Sequence, residues 1–178
     1  MSRLHLTIWA ILCLSWGFTQ TESKKILEFA DKKFKEGDYH YALTLYEEAL
    51  QVDSNSVDIL YRYALTAMAY KDYRKAQNYF AKVYQKEEAT LYPESILYLG
   101  LMQKQNGLYD DALDTFKKAK KRFAKERDGY NYQKSKQEVQ SCLWAINALK
   151  NDTLVMTQLP EHINSKDAEF GHLFNCLL

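Results

Sequence analysis

Glycine and proline are scarce in this chain, which has 178 residues but only 6 Gly and 2 Pro. So few turn-forming residues exclude a turn-rich β fold and favour helices. An excess of charge of one sign is also absent, because 24 Lys and Arg face 23 Asp and Glu, for a formal net charge of +1. A near-neutral chain lacks the broad excess of positive charge that attracts nucleic acid or anionic lipid.

Motifs that carry chemistry are also missing. The sequence contains no Gly-rich phosphate loop and no nucleophile elbow. Cys142 and Cys176 are too few for a disulfide framework, and Cys142 lies among apolar helix positions that predict a small core residue. His172 and Cys176 are four residues apart but have no further ligands nearby in the sequence. We therefore expect no catalytic residue, no cofactor and no metal site, which argues against an enzyme.

The first residues form a separate segment. Arg3 supplies a short positive region, and an apolar stretch from Leu4 to Phe18 follows it. This stretch is shorter than the roughly 20 residues of a membrane span, so it predicts a secretory signal. Small residues near position 19 favour cleavage before Gln20, which assigns residues 1–19 to the signal peptide. The alternative is an uncleaved anchor helix.

Aromatic and small residues recur in phase three times along the middle of the chain, first 34 and then 36 residues apart. A period of 34 residues is typical of paired helices that stack into an array. The two additional residues fall between the second and third repeats, where a loop can absorb them. The recurring positions are Tyr39, Tyr73 and Tyr109; Ala42, Ala76 and Ala112; Tyr46, Phe80 and Phe116; and Ala49, Val83 and Ala119.

This pattern resembles the tetratricopeptide-repeat (TPR) family from residue 24 to about residue 122. The resemblance implies an all-α fold, a right-handed superhelical array of three TPR helical hairpins within 20–127, at about 24–57, 58–91 and 94–127. Lys71 stands where the first and third repeats have glycine, and Ser54 stands where the family often has proline. Apolar spacing from Val139 to Leu149 predicts a C-terminal capping helix over 128–150.

Residues 151–178 lack this periodicity and predict a short extended tail. Residues 163–171, together with the Ser-Cys-x-x-Ala pattern that begins at Ser141, are similar to an exported Gram-negative family. Its members contain a signal peptide, TPRs, a β-propeller and an OmpA-like peptidoglycan-binding domain. We expect at most the first strand of a truncated propeller here and no OmpA-like domain. Peptidoglycan binding is therefore not carried over to this chain.

The concave face of a TPR array usually holds peptides, and the TPR register assigns nine positions of this chain to that face. Chaperone-type TPRs clamp a terminal carboxylate with Lys and Asn at such positions, but Leu27 and Asp31 replace them here. The resemblance therefore implies an apolar groove for an amphipathic helix or an extended segment. The chain's own capping helix or tail could fill it instead. The nine positions are Leu27, Asp31, Phe34, Tyr61, Leu65, Met68, Leu97, Leu101 and Lys104.

The resulting expectation is a non-enzymatic protein-interaction scaffold of the bacterial cell envelope. It would lie in the periplasm or at the periplasmic face of the outer membrane, with a protein or peptide partner and no transmembrane span after signal removal. The alternative is a structural spacer or fragment of a larger TPR–propeller–OmpA-like envelope protein or protein associated with type IX secretion. The basic run 117–122 is expected to lie on a solvated outer face, not to bind nucleic acid.

Export gives the first testable prediction. We expect the mature protein to begin near Gln20 and to be recovered from the cell envelope, because residues 1–19 have the order of a secretory signal. N-terminal sequencing of the protein after cell fractionation checks this. Soluble cytoplasmic protein that still begins at Met1 would contradict it.

Overall fold

The computed structural model describes residues 24–151, which form seven helices and no strand. The predicted all-α array of helical hairpins is confirmed over this range, while the predicted signal segment and the extended tail lie outside the described residues. The helices are α1 (24–35), α2 (Tyr39–Val52), α3 (Val57–Ala69), α4 (Tyr73–Glu87), α5 (Ser95–Gln105), α6 (Tyr109–Arg122) and α7 (Tyr130–Asn151).

Tight turns join the two helices of each hairpin. Gly37 and Gly107 have positive φ angles of 82° and 78° at the first and third of these turns. Lys71 has a φ of 66° at the second turn, so the missing glycine did not change the turn. Asp38 and Asp72 then start the second helices, because their carboxylates accept hydrogen bonds from backbone N–H groups in the first turns of α2 and α4.

The contact surface between the two helices of each hairpin, here called the seam, depends on small residues. Ala30, Ala64 and Gly100 on the first helices are fully buried, as are Ala42, Ala76 and Ala112 on the second. A Cβ atom added to Gly100 would lie 2.7 Å from the ring of Phe116. The backbone of α5 therefore packs directly on this ring. The predicted repeat register is confirmed by this packing.

Two core clusters run through the array. The first consists mainly of side chains from α1 to α4 with two from α5, and the second consists mainly of side chains from α5, α6 and α7. Tyr84 and Leu101 pack against both clusters. The apolar interior is therefore continuous from one repeat to the next, as stacking in a repeat array requires.

The connection between α4 and α5 contains the two additional residues. Glu88 and Ala89 both have left-handed backbone conformations, with φ angles of 50° and 58°. The Glu87 carboxylate accepts hydrogen bonds from the backbone N–H groups of Leu91 and Tyr92. Arg122 donates to the Ala89 carbonyl at 2.6 Å. These bonds hold an unusual backbone in one conformation between two repeats.

The last helix, α7, packs along α6 and closes the end of the array. Val139, Cys142 and Ile146 contact the second core cluster, and Cys142, which the sequence predicted as a core residue, is fully buried. Between residues 24 and 151, no helix combines the length and apolar composition that crossing a bilayer requires.

The turn at Lys71 gives the second prediction. A residue with a side chain in the left-handed region destabilises the folded state by roughly 1–2 kcal/mol. Replacing it with glycine removes this strain, but it also destabilises the folded state by roughly 0.4–1 kcal/mol, because glycine gives the unfolded chain more conformational freedom. We expect Lys71→Gly to raise the free energy of unfolding by about 0.5–1 kcal/mol, as measured by chemical denaturation.

Gly107→Lys is the matched reverse change at the corresponding turn of the third repeat. It should lower the free energy of unfolding by a similar amount. Equal stability of Lys71→Gly and the parent chain would show that the turn is not strained.

Candidate peptide-binding groove

The predicted groove is formed by the first helix of each repeat, namely α1, α3 and α5. Its apolar residues in the first two repeats are half-buried and pack against the first core cluster without being enclosed by it. These residues are Leu27, Phe34, Tyr61, Leu65 and Met68. Their helical spacing of three and four places the members from each helix on one face.

A pocket of about 260 Å³ lies between α1 and α3, with one wall from α2. Phe34 and Leu65 contribute apolar side chains to it, and Lys35 and Arg62 contribute positive charge. The complete lining is Asp31, Phe34, Lys35, Tyr46, Arg62, Leu65 and Thr66. The pocket thus joins two predicted groove positions of the first repeat to one of the second.

Asp31 is the polar centre of this pocket. Its carboxylate accepts a hydrogen bond of 2.5 Å from the Tyr46 hydroxyl, and the Arg62 guanidinium forms a short ion pair with its other oxygen. Burial, and then the bond to Asp31, raise the pKa of Tyr46. The tyrosine therefore stays a neutral donor, and Asp31 is held by two partners from two other helices.

Arg62 extends this network toward the third repeat. Its Nε also pairs with Asp58 Oδ2 at 2.9 Å, and Asp58 Oδ1 accepts a hydrogen bond of 2.7 Å from the Tyr92 hydroxyl. Burial, followed by the bond to Asp58, raises the pKa of Tyr92 to about 12. The Tyr92 ring stacks on Tyr61 with a centroid distance of 4.0 Å. Polar contacts therefore link α1, α2, α3 and the α4–α5 connection.

The third repeat does not continue the groove as predicted. Leu97 is only 1% exposed, because it packs in the core cluster that also contains Cys142 of α7, so it cannot contact a partner. Lys104 donates hydrogen bonds of 2.6 Å to Glu138 and 2.7 Å to Ser141, both on α7. Leu101 packs against both core clusters. The chain's own last helix thus occupies this end of the groove.

Three residues of the network were not singled out from the sequence. The spacing of four between Asp58 and Arg62 on one helix is a signal for an ion pair that could have been used. Tyr92 gave no such signal, because its position depends on the conformation of the α4–α5 connection. Across residues 24–151, no group of three or more His, Cys, Asp or Glu side chains is placed to hold a metal ion.

Residues 33–83 match the family model described as Tetratricopeptide repeat. The matched segment extends from the end of α1 into α4, so it contains the pocket's helices α2 and α3. No curated protein matches the chain.

Solved TPR structures share this fold. The Sgt2 TPR domain from Aspergillus fumigatus is 17% identical, with a TM-score of 0.58 over 86% of this chain and 92% of that one. The Yersinia enterocolitica type III secretion translocator chaperone SycD is 11% identical, with a TM-score of 0.60 over 70% and 85%. The second TPR domain of human RPAP3, solved with the HSP70 peptide SGPTIEEVD, is 14% identical, with a TM-score of 0.57 over 70% and 98%. The fold is that of a TPR array.

The contact between Glu138 and the lysines gives the third prediction. Burial would raise the pKa of the Glu138 carboxyl, but hydrogen bonds from Lys104 and Lys134 outweigh burial and hold the pKa below its ordinary value of 4.5. A carboxyl with a lowered folded-state pKa contributes stability that is fully present above the unfolded value and is lost as the pH falls through the folded value. We expect this contribution at pH 7 and its loss below pH 4.5.

Glu138→Gln should lower the free energy of unfolding at pH 7 by about 1–3 kcal/mol, because two ammonium groups lose a buried charged acceptor. The difference from the parent chain should shrink as the pH falls below 4.5. Glu48→Gln, at an exposed position of α2, is the control and should change little. A difference for Glu138→Gln that is independent of pH would contradict the assignment.

Proposed function

We propose that this chain is an exported, non-enzymatic scaffold that binds a segment of another protein in the groove of its first two repeats. The observation that carries the proposal is the pocket of about 260 Å³ between α1 and α3. Apolar pockets with a few fixed polar groups are typical sites for one bulky side chain of a ligand. The binding of an HSP70 peptide by a TPR domain of human RPAP3 supports a peptide as the class of ligand.

The chemistry of the pocket favours an anchor that is apolar and has an acidic neighbour. Phe34 and Leu65 suit an aliphatic or aromatic side chain. Asp31 already has Tyr46 and Arg62 as partners, so the cation that remains at the pocket is the exposed Lys35, for which no ion pair is found within residues 24–151. A carboxylate beside the anchor would pair with Lys35 at the surface.

The cell envelope is the proposed location. Arg3 and the apolar stretch from Leu4 to Phe18 support export. The resemblance of the end of α7 and of residues 163–171 to exported Gram-negative TPR proteins supports a place near the outer membrane. A partner or adjoining domain in that compartment would occupy the groove.

A spacer role within a larger envelope protein is the second candidate. The C-terminal end of α7 favours it, because Trp144 and Leu149 are exposed there and an adjoining domain could pack on them. A spacer needs no open pocket between α1 and α3. Variants of the pocket therefore separate the two candidates.

The fourth prediction concerns peptides that are selected from a random displayed library for binding to the full chain. Burying a leucine contributes about 1.5–3 kcal/mol, so Leu65→Ala should weaken binding of the selected peptides roughly tenfold to a hundredfold. Fluorescence anisotropy measures the Kd. Leu91→Ala, at an exposed position outside the pocket, is the matched control and should leave the Kd unchanged.

Both variants should first be shown to keep the helical circular dichroism of the parent chain, since Leu65 also packs against the core. Lys35→Glu should weaken the binding of those peptides that have an acidic residue beside the anchor and should leave the binding of the other peptides unchanged. Selected peptides that tolerate Leu65→Ala as well as Leu91→Ala would refute the pocket as the binding site. If Leu65→Ala weakens binding as expected, a photo-crosslinker in place of Lys35 can be used to identify the natural partner in envelope fractions.

A further inference from the structure

Residues 142–149 form two turns in the second half of α7 that are apolar on nearly every side. Asn147 is the only polar residue from 142 to 149. Val139, Cys142 and Ile146 pack toward α6, but Trp144 is 74% exposed, and Leu143 and Leu149 are exposed as well. A helix that is apolar all round is normally covered on all sides. This end of α7 is covered on one side only within residues 24–151.

Two features of α7 explain why this surface is bare. At 3.6 residues per turn, Trp144 lies on nearly the opposite side of the helix from Cys142 and Ile146, so it points away from the core cluster that they contact. Leu149 lies on the same side as Cys142 but near the end of the helix. The 22 residues of α7 make it about 12 Å longer than the 14 residues of α6, at a rise of about 1.5 Å per residue, so we assign the exposure of Leu149 to this excess length.

The residues that follow Asn151 are the occupant that the chain itself supplies. After Asp152 and Thr153 come Leu154, Val155 and Met156, and further large apolar residues follow. They are tethered to the end of the helix that exposes the apolar surface. A short tether makes closure inexpensive in entropy and gives a local concentration on the order of millimolar, which favours them over a partner in solution.

We propose that residues 152–178 pack against residues 142–149 of α7 and cover Trp144, Leu143 and Leu149. This contact completes the capping of the array, because it removes from water the apolar surface that α6 leaves exposed. It is independent of the groove between α1 and α3. The proposal can therefore hold whether or not that groove binds a peptide.

Trp144 reports directly on this contact. The chain has 3 tryptophans, and Trp9→Phe with Trp16→Phe leaves Trp144 as the only one. In this full-length background, we expect the fluorescence of Trp144 to be protected from acrylamide quenching and its emission to lie at a shorter wavelength than that of free tryptophan. Leu154→Ser with Val155→Ser and Met156→Ser should raise the quenching constant severalfold and shift the emission to longer wavelength.

Thr153→Ser with Thr157→Ser is the matched control and should leave both signals unchanged. Circular dichroism should show that the array is folded in every variant. Quenching of Trp144 that is already strong in the parent chain overturns the proposal, as does protection that survives the triple substitution. Protection that disappears on dilution also overturns it, because a second copy would then be the occupant.

A photo-crosslinking amino acid in place of Trp144 gives a second, independent measurement. Mass spectrometry should locate the crosslink within residues 152–178 of the same molecule. Mixing isotopically light and heavy chains distinguishes crosslinks within one molecule from those between two. Crosslinks between light and heavy chains, or to residues outside 152–178, would refute the contact.

Discussion

The close approach of the two helices in each hairpin is the constraint on which the rest of the structure depends. Gly100 shows it most clearly, since even a methyl group there would lie 2.7 Å from the Phe116 ring. Only a small residue on the first helix allows the aromatic ring of the second to fill the seam. Ala64 and Phe80 are the equivalent residues of the second hairpin, and both are fully buried in the first core cluster. Once one side of α1, α3 and α5 packs in these seams, the side of each helix that faces the groove is determined as well.

Polar contacts as well as apolar packing connect one helix pair to the next. Asp31 and Arg62 join the first repeat to the second, and Asp58 and Tyr92 join the second to the connection that precedes α5. Ion pairs that are partly exposed contribute little each. Here a single guanidinium bonds two carboxylates, and a tyrosine hydroxyl bonds the other oxygen of each, so five side chains together hold the geometry of the pocket wall.

The sequence was sufficient to predict the repeat register because the register depends on residue size at fixed spacing. Ala42, Tyr46 and Ala49 have the same roles as their equivalents 34 and 70 residues later, and all are buried. The extent of the groove was less predictable. Leu97 follows the spacing of Leu27 and Tyr61, yet it is buried, because the position of α7 decides its surroundings. A local pattern cannot show where a later helix packs.

The last helix therefore limits the extent of the proposed groove as well as covering the end of the third repeat. Its Glu138 and Ser141 bond Lys104, and its Cys142 lies in the cluster that encloses Leu97. Both contacts use surface of the third repeat that a TPR array of this register would otherwise present to a peptide. Capping by α7 thus covers the face of α5 that the proposed groove would need. Because capping occupies it, the surface that remains is the pocket between α1 and α3, where Arg62 is already fixed and Phe34 and Leu65 are still accessible.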